Sequence, residues 1–214
     1  MLQILGRPTS INVRKVLWTC TELELPHELQ PWGRGPDAGA FSIDAPEFRT
    51  LNPNAMVPVL RDGAFVLWES NAICRYLANA HGGAALLPHA PRERALVEQW
   101  MDWQATELNN AWRYAFSALV RKSPAHTDPA AIAAGIAGWN RHMGILEAQL
   151  RETGAFVTGA HFTLADIVLG LSLNRWSMTP QPPADRPEFP ALAAYHERLL
   201  ERPGYRLHGA NGTP

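Results

Sequence analysis

The chain has 214 residues, of which 46% are hydrophobic and 18% are charged, and its formal net charge is -1. This length suits one large domain or two ordinary ones, and the near-neutral charge favours neither a nucleic acid nor an anionic membrane as partner. Cys20 and Cys74 lie far apart and form no CxxC motif, which excludes a dithiol redox motif and a cysteine zinc site. The N-terminus lacks the basic-then-apolar pattern of a signal peptide, and no apolar run reaches transmembrane length. We therefore expect a soluble cytoplasmic protein with reduced thiols.

The first 80 residues alternate between strand-like and helix-like segments. A strand, an amphipathic helix ended by Pro26 and a second strand come first, and a short helix, a hairpin and a longer helix follow. The predicted segments are, in chain order, a strand at 2–5, a helix at 13–25, a strand at 27–32, a helix at 46–53, the hairpin at 57–68 and a helix at 69–83. This order predicts a small four-stranded sheet with helices.

The pattern changes after a linker at 83–91, which carries one glycine and two prolines. Beyond it only helical periodicity is found, at 94–120, 128–152, 162–176 and 189–205. Thr163 and Asp166 have the spacing of a capping box at the start of the third of these helices. The sequence therefore predicts an α/β domain at 1–82 and an all-helical domain at 92–214.

Pro58 lies at the mouth of the predicted hairpin, where a ladder would use a backbone N–H that proline lacks. If the bond before it is cis, Val57 presents its N–H and C=O outward, and an extended peptide-like ligand can pair with them as an added strand. From the residues alone a trans bond at the end of a loop is the more frequent case.

Glu69 and Ser70 lie where the second hairpin strand meets a helix. The Ser70 hydroxyl and the N–H groups of the first turn suit a carboxylate, and the Glu69 carboxylate suits an amine. Together they fit the head group of an α-amino acid. The alternative is a simple helix cap, which is the more frequent role of such a pair.

Thr9, Ser10 and Asn12 form a second polar group at a strand–helix junction. Hydroxyl and amide donors at a helix N-terminus favour a thiolate over a thiol, although here too capping is the alternative. Because α/β folds gather ligands at such junctions, one ligand fits all three features. It is a γ-glutamyl tripeptide thiol, with its head group at Glu69, its middle along Val57 and its sulfur near Ser10.

The chain resembles the cytosolic glutathione S-transferase superfamily, in particular its bacterial theta-, beta- and nu-like members. The resemblance rests on "SINVRKVLW", "LNPNAMVPVLRDG", "LWESNAICRYL", "QWMDWQATELNNAW" and "HFTLADI", and it covers nearly the whole chain. It implies a thioredoxin-like domain followed by a helical domain, which agrees with the interpretation above. It also implies a cytoplasmic detoxification enzyme that uses glutathione as co-substrate without a metal, and a homodimer.

The resemblance assigns roles to individual residues. It makes Pro58 the cis-proline of the family and Val57 the main-chain partner of the cysteinyl unit of glutathione. It makes Glu69 and Ser70 the γ-glutamyl site. The catalytic residues that it implies are Ser10, which stabilises the thiolate, and Asn12, which lies beside the sulfur. Thr9 remains an alternative activator.

Two departures from the family pattern concern the glycyl carboxylate of glutathione. Ala55 and Met56 stand where the family often has Gly followed by Lys, Arg or Gln. Since Met56 cannot hold a carboxylate, we expect Arg34 or another basic residue to do so.

Three aromatic residues on the first long helix, Trp112, Tyr114 and Phe116, are candidates for the wall of the second-substrate site, although such a helix is more often simply core. Three functions remain open at this point. They are conjugation of glutathione to small hydrophobic electrophiles, reduction of disulfides or peroxides with glutathione, and a non-enzymatic glutathione-binding interaction module.

Overall fold

The computed structural model describes residues 1–182 and 186–212. Four strands form one sheet, β1 at Leu2–Leu5, β2 at His27–Gln30, β3 at Val59–Asp62 and β4 at Phe65–Trp68. The helices are α1 at Ile11–Glu22, α2 at Pro46–Leu51, α3 at Ser70–Ala80, α4 at Pro91–Trp103, α5 at Asn109–Leu119, α6 at Pro129–Thr153, α7 at Leu164–Met178, α8 at Pro190–Leu200 and α9 at Pro203–His208. A four-stranded α/β unit is thus followed by helices alone, as predicted.

The sheet has the strand order β2-β1-β3-β4. Strand β1 pairs in parallel with β2 and antiparallel with β3, and β3 forms a hairpin with β4. The parallel pair requires a crossover, which α1 supplies, whereas the turn at Gly63 allows the antiparallel pair to follow directly. The carboxyl end of β1 therefore leads straight into the N-terminus of α1, where Ser10 lies.

Helix α1 is buried on nearly all sides. Val13, Val16 and Leu17 lie in the predicted apolar face, but Arg14 and Lys15 on other faces are buried as well. The reason is that α1 contacts α3 within the first domain and α7 and α9 of the helical domain. One continuous core therefore joins the two domains.

The predicted helix at 94–120 is interrupted by a π-helical turn at Gln104–Leu108 between α4 and α5. In this turn the N–H of Asn109 donates to the C=O of Gln104, five residues earlier. Apolar residues on two faces of the 94–120 segment predict a helix that is buried on both sides, and this prediction is wrong. Trp103 is half-buried and Glu107 is exposed, because neighbouring helices cover only part of this face.

The predicted helix at 189–205 is in fact two helices, α8 and α9. Pro203 stands at the first position of α9, and a proline at that point lacks the N–H that would continue α8. The helical periodicity continues across the break, so the apolar pattern by itself did not reveal it.

The capping box at the start of α7 is confirmed. The carboxylate of Asp166 is completely buried and accepts hydrogen bonds from the N–H of Thr163 at 2.8 Å, the N–H of Val157 at 2.9 Å and the hydroxyl of Tyr195 at 3.0 Å. Asp166 thus ties the start of α7 to the preceding loop and to α8. Burial raises the pKa of this carboxyl to about 6, and the hydrogen bonds oppose that shift.

In the part of the chain that the structure describes, no helix is long and apolar enough to cross a membrane. Among the same residues, no group of three or more His, Cys, Asp or Glu side chains is placed to hold a metal ion. Cys20 and Cys74 are both buried and free, and burial raises the pKa of the Cys20 thiol to about 12 and that of Cys74 to about 11.

His208 gives the fold a predictable dependence on pH. Its Nε2 lies 2.9 Å from Oγ1 of Thr21, and burial, followed by the charges of His27 and Arg14, lowers its pKa to about 4. An unfolded histidine titrates near pH ~6.5. As the pH falls from about 6.5 to about 4, the unfolded state therefore gains a proton that the folded state does not, and folding stability is lost.

We expect the His208→Gln variant to lose less stability between pH 7 and pH 5 than the unmodified protein, by about 1 kcal/mol after allowance for solvent screening. Urea unfolding at the two pH values measures the difference. The exposed His161 supplies the matched control, and His161→Gln should leave the pH dependence as it is. An unchanged pH dependence in His208→Gln would mean that another group titrates.

Candidate functional site

A cavity of about 830 Å³ lies between the sheet domain and the helical domain. From the first domain it is lined by Arg7, Thr9, Ser10, Ile11, Asn12, Trp32, Gly33, Arg34, Ile43, Met56 and Val57. From the helical domain it is lined by Asn109, Trp112, Arg113, Phe116, Ser117, Val120, Arg121 and Arg175. Its volume falls in the range of small-molecule sites.

Ser10 is the N-cap residue of α1 and lines this cavity. Its backbone is extended, with φ -83° and ψ 124°, and its C=O accepts from the N–H of Arg14. The side chain makes no capping hydrogen bond, so its hydroxyl is not used to complete the helix. The absence of this bond favours a ligand-binding role for the Ser10 hydroxyl over a capping role.

Thr9 and Asn12 line the same cavity on either side of Ser10. Thr9 is exposed, whereas Ser10 and Asn12 are half-buried. The N-terminus of the 12-residue helix α1 adds unpaired N–H groups and the positive end of its dipole at this point. The arrangement places hydroxyl, amide and backbone donors together, and these favour a thiolate.

The peptide bond between Val57 and Pro58 is cis. Val57 lines the cavity, just before β3 begins at Val59. Among the described residues, neither the N–H nor the C=O of Val57 takes part in a backbone hydrogen bond. A short length of unpaired backbone thus lies at the cavity that Ser10 also lines, as strand addition requires.

Glu69 and Ser70 stand at the N-terminus of α3. Glu69 is the exposed N-cap residue and adopts a positive φ of 73°, while Ser70 is buried as the first helical residue. A non-glycine residue at such a φ persists only where the surroundings hold it, and this is common at ligand sites. Neither Glu69 nor Ser70, nor Pro58, is among the described residues that line the cavity itself.

The buried Lys15 is hydrogen-bonded to the first turn of α3. Nζ of Lys15 donates to Oδ1 of Asn71 at 3.2 Å and to Oε1 of Gln104 at 2.7 Å. Nδ2 of Asn71 in turn donates to the C=O of Met101 at 2.9 Å. Burial lowers the pKa of Lys15 to about 8. The network joins α1, α3 and the π-helical turn, and so fixes Ser70 against the helical domain.

The three aromatic candidates for the second-substrate wall are placed differently. Trp112 and Phe116 are buried and line the cavity. Tyr114 lies outside the described lining, with its hydroxyl accepting from the N–H of Asp128 at 3.3 Å and its ring 4.8 Å from that of His126. Positions 112 and 116 are four residues apart and share a helix face, whereas position 114 points away from it.

Arg34 lines the cavity, but it also pairs with Asp44, its Nη2 lying 3.3 Å from Oδ1. Met56 is 55% exposed and lies at the same rim. Arg7 is a second guanidinium on this side of the cavity.

Sequence reasoning missed the cations that the helical domain contributes, Arg113, Arg121 and Arg175. The signal for Arg175 was its position as the single basic residue of the largely apolar segment 164–176. It is buried, with 3% of its surface exposed, and its guanidinium carbon lies 4.7 Å from the ring centre of Trp112 and 4.3 Å from that of Phe116.

Comparisons with known proteins agree with this geometry. The family described as "Glutathione S-transferase, N-terminal domain" matches residues 9–80, and "Glutathione S-transferase, C-terminal domain" matches residues 129–198. Glutathione S-transferase GstB of Escherichia coli is 39% identical over 213 residues, covering 96% of each chain. Glutathione S-transferase 3 of Zea mays is 31% identical, covering 96% of this chain and 91% of the maize protein.

A solved structure extends the similarity to three dimensions. The theta class glutathione S-transferase from Xanthomonas axonopodis pv. citri, with glutathione bound, superposes with a TM-score of 0.86 at 40% identity. The match covers 97% of this chain and 96% of that one.

Proposed function

Because this chain belongs to the glutathione S-transferase family of transferase enzymes, we propose that it binds glutathione at the cavity edge and activates its sulfur with Ser10. The carrying observation is the Ser10 hydroxyl, which lines the cavity at the start of α1 without capping the helix. The unpaired backbone of Val57 next to Pro58 would take the cysteinyl unit. Glu69 and Ser70 would take the γ-glutamyl head group.

The chemical task of Ser10 is to lower the pKa of the bound thiol. A free thiol titrates near ~8.5, and lowering this by ~2 units requires ~2.7 kcal/mol of preferential stabilisation of the thiolate. A hydrogen bond to a charged group contributes ~1.5–3 kcal/mol. The O–H of Ser10 would therefore supply most of the effect, with the amide of Asn12 and the dipole of α1 adding to it.

The activated sulfur would then attack a small hydrophobic electrophile. Trp112 and Phe116, from the opposite wall of the cavity, would hold this second substrate against the sulfur. Attack forms a carbon–sulfur bond and expels the leaving group, so the product is a thioether of glutathione. These reaction steps do not require a residue that acts as a metal ligand.

Isothermal titration with glutathione, combined with the ultraviolet absorbance of the bound thiolate near neutral pH, tests the proposal. We expect binding together with a thiolate signal, and turnover of halo-aromatic electrophiles. Binding without a thiolate signal would support an interaction module instead. Turnover of hydroxyethyl disulfide without conjugation would support a reductase, and absence of binding would contradict the proposed site.

We also propose that the protein is a cytoplasmic homodimer. The edge strand β4 exposes Phe65 and Trp68, which are 47% and 37% accessible in the single chain. Exposed apolar side chains on an edge strand invite a partner. Light scattering coupled to size exclusion measures the mass, and we expect twice that of the 23.7 kDa chain.

A further inference from the structure

The cavity has a strongly one-sided charge. Five of its lining residues are arginines, and none of those described is an aspartate or glutamate, although the whole chain has a net charge of -1. Within the described residues, Arg34 is the one of these five that pairs with an acidic side chain, and its partner is Asp44. A cavity lined in this way concentrates anions.

Arg175 is the most informative of the five, because burying a charge is costly unless something compensates it. Its Nε is enclosed and has no hydrogen-bond partner, and no acidic side chain lies within ion-pair distance in the described chain. Stacking on Trp112 and Phe116 offsets part of this cost. Nε1 of Trp112 is also enclosed and has no hydrogen-bond partner among the residues that the structure describes. Two unsatisfied donors thus belong to side chains that line the same wall.

The surrounding positive charges add to the cost of keeping this guanidinium group charged. Burial first, and then the positive charges of Arg14 and Arg121, lower the pKa of Arg175 to about 9. It remains a cation at neutral pH. Arg175 and Arg121 would therefore attract an anion in the cavity together. Hydrogen bonds to this anion would take the place of the water contacts that burial removes from the guanidinium group of Arg175.

Glutathione itself carries two carboxylates, so the anion that these arginines bind belongs either to glutathione or to the second substrate. The residues proposed to bind glutathione, from Ser10 to Ser70, all belong to the first domain. Arg7 and Arg34 lie on that side and suit its glycyl carboxylate. Arg175 and Arg121 belong to the helical domain and lie beside Trp112 and Phe116, the proposed wall for the second substrate.

We propose that the second substrate is a small aromatic electrophile that carries a carboxylate, with Arg175 and Arg121 binding that carboxylate. The aromatic part follows from the rings of Trp112 and Phe116, and the anionic part follows from the unpaired guanidinium groups. The proposal rests on the function proposed above. It makes Arg175 a specificity-determining residue that contacts the substrate and takes no part in the bond changes.

Two halo-aromatic compounds of nearly the same shape test the proposal. In 4-chloro-3-nitrobenzoate and 4-chloro-3-nitrobenzamide, the glutathione thiolate attacks the carbon that bears chlorine, the carbon–sulfur bond forms and chloride leaves. The two differ in charge at the position opposite the chlorine. The ratio of kcat/KM for benzoate to that for benzamide, each divided by its uncatalysed rate constant, isolates the contribution of the carboxylate.

We expect this ratio to be about ten or more in the unmodified protein, since hydrogen bonds between charged groups are stronger than those between neutral groups. Arg175→Gln should lower the ratio by about tenfold, and Arg121→Gln by a smaller factor of about two to five because Arg121 is exposed. If Arg175→Gln prevents folding, Arg121→Gln by itself still tests the proposal. Arg151→Gln, an exposed arginine near the end of α6 and outside the cavity, should leave the ratio unchanged.

A ratio at or below one in the unmodified protein would overturn the proposal. A ratio that is unchanged in both Arg175→Gln and Arg121→Gln would also overturn the proposal. If Arg175→Gln instead raises the KM for glutathione and leaves the ratio as it was, the guanidinium binds glutathione, and the proposal is wrong. Conjugation of neither compound, together with absence of glutathione binding, would instead contradict the proposed function itself.

Discussion

Replacement of Ser10 by Ala is expected to lower kcat/KM for conjugation by about 10- to 100-fold, the equivalent of one hydrogen bond to a charged group of ~1.5–3 kcal/mol. The physical reason is loss of the O–H that stabilises the thiolate, so the pKa of bound glutathione should rise towards that of the free thiol. Titration of the thiolate absorbance against pH measures the shift. The fold loss should shrink as the pH rises past the pKa of the free thiol, near ~8.5, because the variant then also holds a thiolate.

The same variant separates a catalytic Ser10 from a structural one. Loss of a capping serine typically costs ~0.5–2 kcal/mol, but the Ser10 side chain makes no capping hydrogen bond, so Ser10→Ala should unfold at nearly the same urea concentration as the unmodified protein. Ser10→Thr, which keeps a hydroxyl, and Thr9→Ala are the controls. Activity that survives Ser10→Ala but fails in Thr9→Ala would assign activation to Thr9.

Replacement of Asp166 by Ala is expected to lower the free energy of unfolding by about 3–5 kcal/mol, a large fraction of the stability of a domain. The carboxylate is buried and receives the N–H groups of Thr163 and Val157 and the hydroxyl of Tyr195. Its removal leaves these donors enclosed without a partner and opens a cavity at the start of α7. Urea unfolding followed by circular dichroism measures the loss.

Asp128 provides a matched control for this effect. Like Asp166 it is an aspartate that accepts from a backbone N–H at the start of a helix, but it is the exposed N-cap residue of α6 and accepts one hydrogen bond, from the N–H of Ala130 at 2.9 Å. Asp128→Ala should therefore cost only about 1 kcal/mol. Equal losses in the two variants would show that burial and the additional donors at Asp166 contribute nothing, and that α7 is held by its apolar packing alone.

The sequence by itself determined the elements whose signals are local. Alternation and a glycine turn predicted the β3–β4 hairpin, periodicity and Pro26 predicted α1, and a three-residue spacing predicted the Thr163–Asp166 capping box. Ser10 and Val57 were also found from the sequence, and the structure brings both to the edge of one cavity. These features depend on neighbours within a few positions, so the pattern carries them.

The tertiary structure alone decided which faces of the helices meet the cavity. Helical spacing separates Trp112 and Phe116 from Tyr114, but it does not say which of the two faces meets a cavity. Packing of α5 against α6 leaves Trp112 and Phe116 lining the cavity and Tyr114 beside His126. Likewise, Arg175 is an isolated cation in an apolar helix until the fold stacks it on those two rings. Such placements depend on contacts between residues that are far apart in the chain, and the free energy of those contacts is absent from any local pattern.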